Sequence, residues 1–230
     1  MTSFSVFVLT APPPGLAGEN SWMIKLDGRE TILRTVEMFL NRDPIKQIVV
    51  VFDASQIEEA KRKLGGHFSF SGIKLATGGP RWVDQMAMAA ENLSPDTSHV
   101  LVHDAARATV PYSDIDALME HAEQKPIVSL AAAVGSTLVE IDEGGNALAV
   151  HLPSSYQQLL TPQSFARAKF LELAKAKKEA HASEISLIKG SNLNVRLGGG
   201  TEASYVKAMI NLLPKPKIKG PLTPFDEAQW

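Results

Sequence analysis

Asp104 and Arg107 carry the strongest chemical signal in the chain. They lie in the run V-H-D-A-A-R, residues 102–107, directly after an apolar stretch, residues 99–103, that predicts a β-strand. In open α/β sheets ligands bind outside the carboxyl ends of the strands. Asp104 offers hard oxygen ligands to Mg²⁺, and Arg107 offers a bidentate fork to phosphate. The same spacing also suits a plain turn, in which Asp104 caps the backbone and Arg107 pairs with it at the surface.

Other chemistries find less support. With no cysteine there is no disulfide, thiolate nucleophile or iron–sulfur site. Among the six histidines the close pair is His99 and His103, on one strand at an even separation that would place both on one face. No G-x-S-x-G occurs, and Gly198-Gly199-Gly200 lacks the G-K-[ST] of a phosphate loop, so it reads as a turn before the last helix. Trp82, Met86 and Met88 read as a packed helix face. Lys175, Lys177 and Lys178 read as a solvated helix end favoured by the C-terminal dipole.

The elements that must hold Asp104 follow from hydrophobic period. Short apolar runs at residues 4–10, 47–52, 73–76, 99–103 and 126–133 alternate with amphipathic stretches at 31–41, 55–64, 82–93 and 114–123. That alternation predicts an α/β fold: a mostly parallel sheet with helices on both faces. Gly65-Gly66 is expected to end the second helix, and Ser113 to cap the fourth. Residues 137–141 and 147–152 flank a glycine turn and predict a β-hairpin arm, spanning about 136–158. Residues 163–179 are expected to form a long helix, 184–188 and 193–197 short strands, and 202–213 a last helix. The expected layout is one domain, 1–213, and a proline-rich tail, 214–230, whose lysines, Phe225 and Trp230 suit either docking or folding back.

Composition narrows the class. The 230 residues carry 23 basic and 25 acidic side chains, a formal charge of −2, without the basic face of a nucleic-acid binder. At 44% hydrophobic and 21% charged, the chain reads as an ordinary globular protein. Its longest apolar stretch, residues 127–139, is broken at Gly135, Ser136 and Thr137, short of the roughly 18 residues of a membrane span. The first residues lack a basic segment before their apolar run, so the expectation is a cytoplasmic protein with no membrane partner.

Several segments in order resemble the methylerythritol-phosphate cytidylyltransferases, with the related ribitol-phosphate enzymes. These are D-G-R-E-T-I-L (residues 27–33), Gly78-Gly79, V-H-D-A-A-R, Thr137 in a D-T position, and L-T-P-Q-x-F (residues 160–165). The resemblance runs over residues 4–213. It implies a Rossmann-like nucleotidyltransferase fold that forms a homodimer through its β-arm. The implied reaction is attack of a sugar-alcohol phosphate on the α-phosphate of CTP, with Mg²⁺, releasing pyrophosphate. Carried over by position, Asp104 is the metal residue. Thr10, Ala11, Gly78, Gly79, Gln85 and Ala105 contact the nucleotide, and Arg107, Thr137 and Lys207 the acceptor or a phosphate.

The same alignment shows where the chain departs. The family's first loop is a glycine-rich A-A-G-x-G-x-R-M segment followed by P-K-Q, whose arginine and lysine stabilise the transition state. Here residues 10–23 read T-A-P-P-P-G-L-A-G-E-N-S-W-M. Three consecutive prolines remove N–H donors where an anion nest is needed. Gly15 stands at the arginine position and Trp22 at the lysine position, leaving Lys25 as the nearest cation. Gln85 replaces the serine that helps read the nucleotide, Arg81 is displaced by one residue, and Ser136 replaces the aspartate of D-T. Pro153 stands near an expected arginine, and residues 182–185 lack a second metal-side aspartate. Two readings follow: a divergent cytidylyltransferase, or an inactive homologue with a binding or regulatory role. A remodelled pocket for another nucleotide or phosphosugar is a third.

Overall fold

The computed structural model describes residues 2–16 and 21–214; the tail from residue 215 lies outside the described residues. In chain order the elements are β1 (Phe4–Leu9), β2 (Lys25–Leu26), β3 (Arg29–Glu30), α1 (Thr31–Glu37), β4 (Ile45–Asp53), α2 (Ile57–Phe70), β5 (Lys74–Gly78) and α3 (Trp82–Glu91). Then come β6 (His99–Asp104), α4 (Tyr112–Ala122), β7 (Ile127–Ala133), β8 (Leu138–Ile141), β9 (Ala147–His151), β10 (Gln157–Ala166), α5 (Arg167–Ala176), β11 (Ser186–Lys189) and α6 (Ala203–Leu212).

Seven strands form one sheet in the order β11-β7-β10-β6-β1-β4-β5. Strand β10 runs antiparallel to both neighbours, and the remaining pairs are parallel. The chain steps from β1 to β4 to β5 and then returns to the other side of β1 with β6. This reversal opens a crevice at the carboxyl ends of β1 and β6. Every residue of β1 is buried, as the continuous apolar run requires of a strand covered on both faces. Phe4, Val6 and Val8 pack with residues of α1, α2 and α4 on one face, Phe7 and Leu9 with α3 and α5 on the other.

Four expectations need correction. Helix α2 does not stop at Gly65-Gly66 but runs to Phe70, because Ile57, Ala60, Leu64 and Phe68 form one buried stripe. A helical glycine costs about 1 kcal/mol against alanine, which burial of a side chain such as Phe68 exceeds. The left-handed stop is Gly72, at φ +68°. The long helix expected over 163–179 is strand β10 to Ala166 and helix only from Arg167, since β10 finds partners on both sides. Residues 193–197 form a loop rather than a strand. Ser113 lies inside α4, whose N-cap is Pro111 and carries no side-chain cap bond.

A Cβ added at Gly65 or Gly66 meets nothing within 4 Å. Gly65→Ala and Gly66→Ala are each expected to raise stability by about 0.5–1 kcal/mol in urea unfolding. A loss in either variant would mean the helix is strained there.

The hairpin β8–β9 is a separate two-stranded sheet, turning at Gly145 with φ +81°. It stands out from the domain with Val139, Ile141, Leu148, Val150 and Leu152 exposed. No described helix is long and apolar enough to cross a membrane.

Candidate functional site

Strand β6 ends on Asp104, and the chain turns at once. Asp104 Oδ1 accepts the Ala106 N–H at 2.9 Å, and Ala105 N–H donates to the Leu9 carbonyl at 2.9 Å, tying the turn to β1. Asp104 Oδ2 accepts from Arg196 Nε at 2.7 Å, with Arg107 Nε at 3.8 Å. The pairing anticipated for a surface turn is thus real but buried: Asp104 is 1% exposed and Arg107 7%.

The cluster closes into a ring. Arg107 Nη1 donates to the Asn194 carbonyl at 2.9 Å and to its Oδ1 at 3.3 Å. Asn194 Nδ2 donates to the Thr161 carbonyl at 2.8 Å, and Thr161 Oγ1 accepts the Asp104 N–H at 3.2 Å. V-H-D-A-A-R, L-T-P-Q and the loop at 194–196 are therefore one constellation at the strand ends. Two guanidiniums face one carboxylate, leaving excess positive charge. Burial pushes Arg107 below the usual guanidinium range, Asp104 opposes this, and Arg196 adds to it. Sequence reasoning misses Thr161, Asn194 and Arg196. Thr161 lies inside the quoted L-T-P-Q motif, and the polar pair at even spacing in N-V-R is the available signal for the other two.

His103 is fully buried under this turn. Its Nε2–H donates to the Arg107 carbonyl at 2.9 Å, its ring meets Phe39 edge-on, and burial pushes its pKa down to about 3. His99 packs on Phe4 instead. At roughly 3.3 Å per residue the two rings stand about 13 Å apart along the strand, too far to share a metal. Because the folded pKa is depressed below the ordinary 6.5, unfolded chains take up a proton that the folded protein does not. Stability is therefore expected to fall by about 1.4 kcal/mol per pH unit from this group as pH drops from 6.5 toward 3. Urea unfolding across that window should show a slope shallower by one proton in His103→Gln; an unchanged slope would assign the acid sensitivity elsewhere.

The nucleotide-side residues meet around Gln85. Its fully buried side chain accepts the Ala11 N–H at 3.0 Å and donates to the Gly79 carbonyl at 3.2 Å and Thr10 Oγ1 at 3.3 Å. Gly78 and Gly79 are packing glycines in this structure. A Cβ on Gly78 would lie 3.0 Å from Gln85 Cγ, and one on Gly79 2.8 Å from Asp84 Cβ. Arg81, the displaced arginine, pairs with Asp84 at 2.7 Å, and its hydrogen bonds, ahead of those from Lys177, hold Asp84 down to about 2.

The first loop is a turn. Leu16 N–H bonds the Pro13 carbonyl at 3.1 Å around Pro14 and Gly15, with Gly15 at φ +75°, as a type II turn requires. Trp22, at the position of the family's lysine, is 3% exposed and sits edge-on to Phe52 at 5.1 Å in the core. Lys25 does not substitute: it pairs with Glu30 at 3.5 Å with its side chain 62% exposed. Lys207 is likewise held by Asp27 at 2.5 Å rather than by the Asp104 cluster, where Arg196 supplies the cation. Thr137 is exposed at the base of the arm. A cavity of about 270 Å³ is lined by Pro13, Pro14, Trp82, Arg107 and Thr161 among others, so the first loop and the Asp104 turn border the same space.

The magnesium expected on Asp104 does not find a site there. Both carboxylate oxygens are engaged, and among the described residues no group of three or more His, Asp or Glu side chains is placed to hold a metal. A cation would have to displace Arg196, so these residues do not fit a protein-held magnesium.

Comparison with known proteins agrees with this architecture. The family model "IspD: 2-C-methyl-D-erythritol 4-phosphate cytidylyltransferase" matches residues 16–208. The enzyme of that name from Bacillus velezensis is 27% identical over 209 residues, covering 84% of this chain and 89% of its own. The one from Frankia casuarinae is 28% identical, covering 89% and 76%. Among solved structures, 4-diphosphocytidyl-2C-methyl-D-erythritol synthase from Anaerococcus prevotii superposes with TM-score 0.74 at 16% identity, over 91% of this chain and 96% of that one. The Thermus thermophilus cytidylyltransferase gives 0.71 at 20%, over 90% and 98%. The structural likenesses establish the shared fold, and the family model, matching most of the sequence, establishes descent: the chain belongs to the 2-C-methyl-D-erythritol 4-phosphate cytidylyltransferase family.

Proposed function

We propose that the chain is a divergent cytidylyltransferase of isoprenoid precursor synthesis, transferring CMP from CTP to a sugar-alcohol phosphate such as methylerythritol phosphate. The acceptor's phosphate oxygen attacks the α-phosphorus, a new P–O bond forms, and the bond to the β-phosphate breaks to release pyrophosphate. The observation that carries this reading is the buried ring joining Asp104, Arg107, Thr161 and Asn194, with Arg196, at the crevice of the sheet. Its excess positive charge favours a phosphate there, and magnesium would arrive on the nucleotide's own phosphates. A second reading, an inactive homologue with a binding or regulatory role, is favoured by the cation-free first loop.

The deciding experiment incubates the purified full chain with Mg²⁺, CTP and methylerythritol phosphate beside Asp104→Ala, with a thermal melt confirming that the variant folds, since Asp104 is the buried partner of Arg196. Cytidylylated product that the variant fails to make supports the enzyme. Absence of product in both, after days at micromolar protein, leaves the inactive homologue.

The domain, 1–213, is proposed to pair as a homodimer through the arm at 136–158. Exposed Val150 (68%), Leu152 (69%) and Ile141 (61%) form an apolar surface of the kind a second copy covers. Val150→Asp is expected to weaken self-association at least tenfold in sedimentation velocity. A wild-type chain that sediments as a monomer at about 100 micromolar, roughly the weak end of specific association, would overturn the pairing.

A further inference from the structure

We propose that Gln85 stands in for the nucleobase: its carboxamide occupies the groups that would read the base, so the wild-type chain discriminates poorly between CTP and UTP. This rests on the cytidylyltransferase reading and concerns the same site.

The positions of the groups carry it. Ala11 N–H lies just past the end of β1 and the Gly79 carbonyl just past the end of β5, both at the carboxyl end of the sheet, where ligands enter open α/β folds, and Gln85 lies on α3 between Trp82 and Met86, which line the cavity. Together they present one backbone donor and one backbone acceptor. A carboxamide answers them with an acceptor oxygen and a donor NH₂ side by side. Cytosine offers the same adjacent pair along its N3 and 4-amino edge, whereas uracil places an acceptor oxygen where the amino group would be. In this protein Gln85 already makes both bonds, at 3.0 and 3.2 Å, and adds a third to Thr10 Oγ1 at 3.3 Å.

Two further features fix Gln85 there. It projects from the first turn of α3 and is 0% exposed, so no solvent competes for its amide. A Cβ added at Gly78 would stand 3.0 Å from both Gln85 Cγ and Val51 Cγ1, so the end of β5 is packed closely against the Gln85 side chain. A base entering from the crevice meets neither Ala11 N–H nor the Gly79 carbonyl unless Gln85 leaves. Binding is then carried by the phosphates, and a serine, too short to span the two groups, reopens the subsite.

The test titrates CTP, UTP and inorganic tripolyphosphate, each with Mg²⁺, into the wild-type full chain and into Gln85→Ser by calorimetry, with a thermal melt confirming that the variant folds. The expected result is a wild-type CTP-to-UTP affinity ratio within about threefold, both nucleotides matching tripolyphosphate, and a ratio of about tenfold or more in the variant. A wild-type ratio of tenfold, or a folded variant whose ratio stays near one, overturns the stand-in while leaving CTP binding and the enzyme reading intact. Failure of both proteins to bind any nucleotide at millimolar concentration overturns the enzyme reading and this proposal with it. If the variant does not fold, the wild-type ratio alone decides.

Discussion

Assayed beside the Bacillus velezensis relative with CTP and methylerythritol phosphate, the chain is expected to transfer CMP about 10⁴-fold more slowly, or slower still. Nucleotidyl transfer has little covalent chemistry for the protein to perform, so rate comes from positioning and from cations aimed at the charge that develops on phosphorus. Removing one preorganised donor typically costs about 10²–10³ in rate, and the family pattern loses two cations here, at Gly15 and Trp22. The replacement is structural. Pro14 and Gly15 close a type II turn, and Trp22 is buried against Phe52, so the backbone is committed to a turn and the side chain to the core. For that reason Trp22→Lys is not expected to restore activity. It places an ammonium in an apolar environment and forfeits burial worth about 3–5 kcal/mol for a tryptophan. Product quantified by chromatography checks the rate. Turnover within tenfold of the relative would show that cations from elsewhere, Arg107 and Arg196 first among them, have taken over the transition state.

The sheet is legible in the sequence because its strands are continuous apolar runs punctuated by polar turns. Residues 47–52 and 126–133 correspond to β4 and β7 with boundaries shifted by one or two residues at most. Legibility fails where long-range pairing decides the local state. Gln163 to Ala166 carry no local signal separating them from the helix that follows, and it is registry with β6 and β7 that makes them strand. Gly65-Gly66 misleads for the converse reason: a local stop signal is overridden by a buried stripe reaching Phe68. The site divides the same way. Asp104 and Arg107 are close in sequence and stand out together. Arg196, 92 positions away, stays hidden because one arginine in a loop looks like any other until folding brings it to 2.7 Å from a carboxylate. Lys207 is a cation near the expected position, yet its partner is Asp27 on the β2–β3 turn.

Arg196→Met is expected to destabilise the fold by about 3 kcal/mol or more, a loss read from urea unfolding at neutral pH. Arg196 and Asp104 differ from a surface pair in their burial, with side chains 12% and 2% exposed. An exposed pair contributes at most about 1 kcal/mol, whereas removing one partner of a buried pair strands the other charge away from water. Arg107 compensates only in part, because its Nε stands 3.8 Å from Asp104 Oδ2 and its Nη1 is turned toward Asn194. The double variant Asp104→Asn with Arg196→Met separates the stranded charge from lost packing. Neutralising Asp104 removes the penalty and is expected to recover at least half of the loss, since the substituted side chain keeps an amide oxygen to accept the Ala106 N–H. A single-variant loss below about 1 kcal/mol would place the pair in the class of solvated ion pairs.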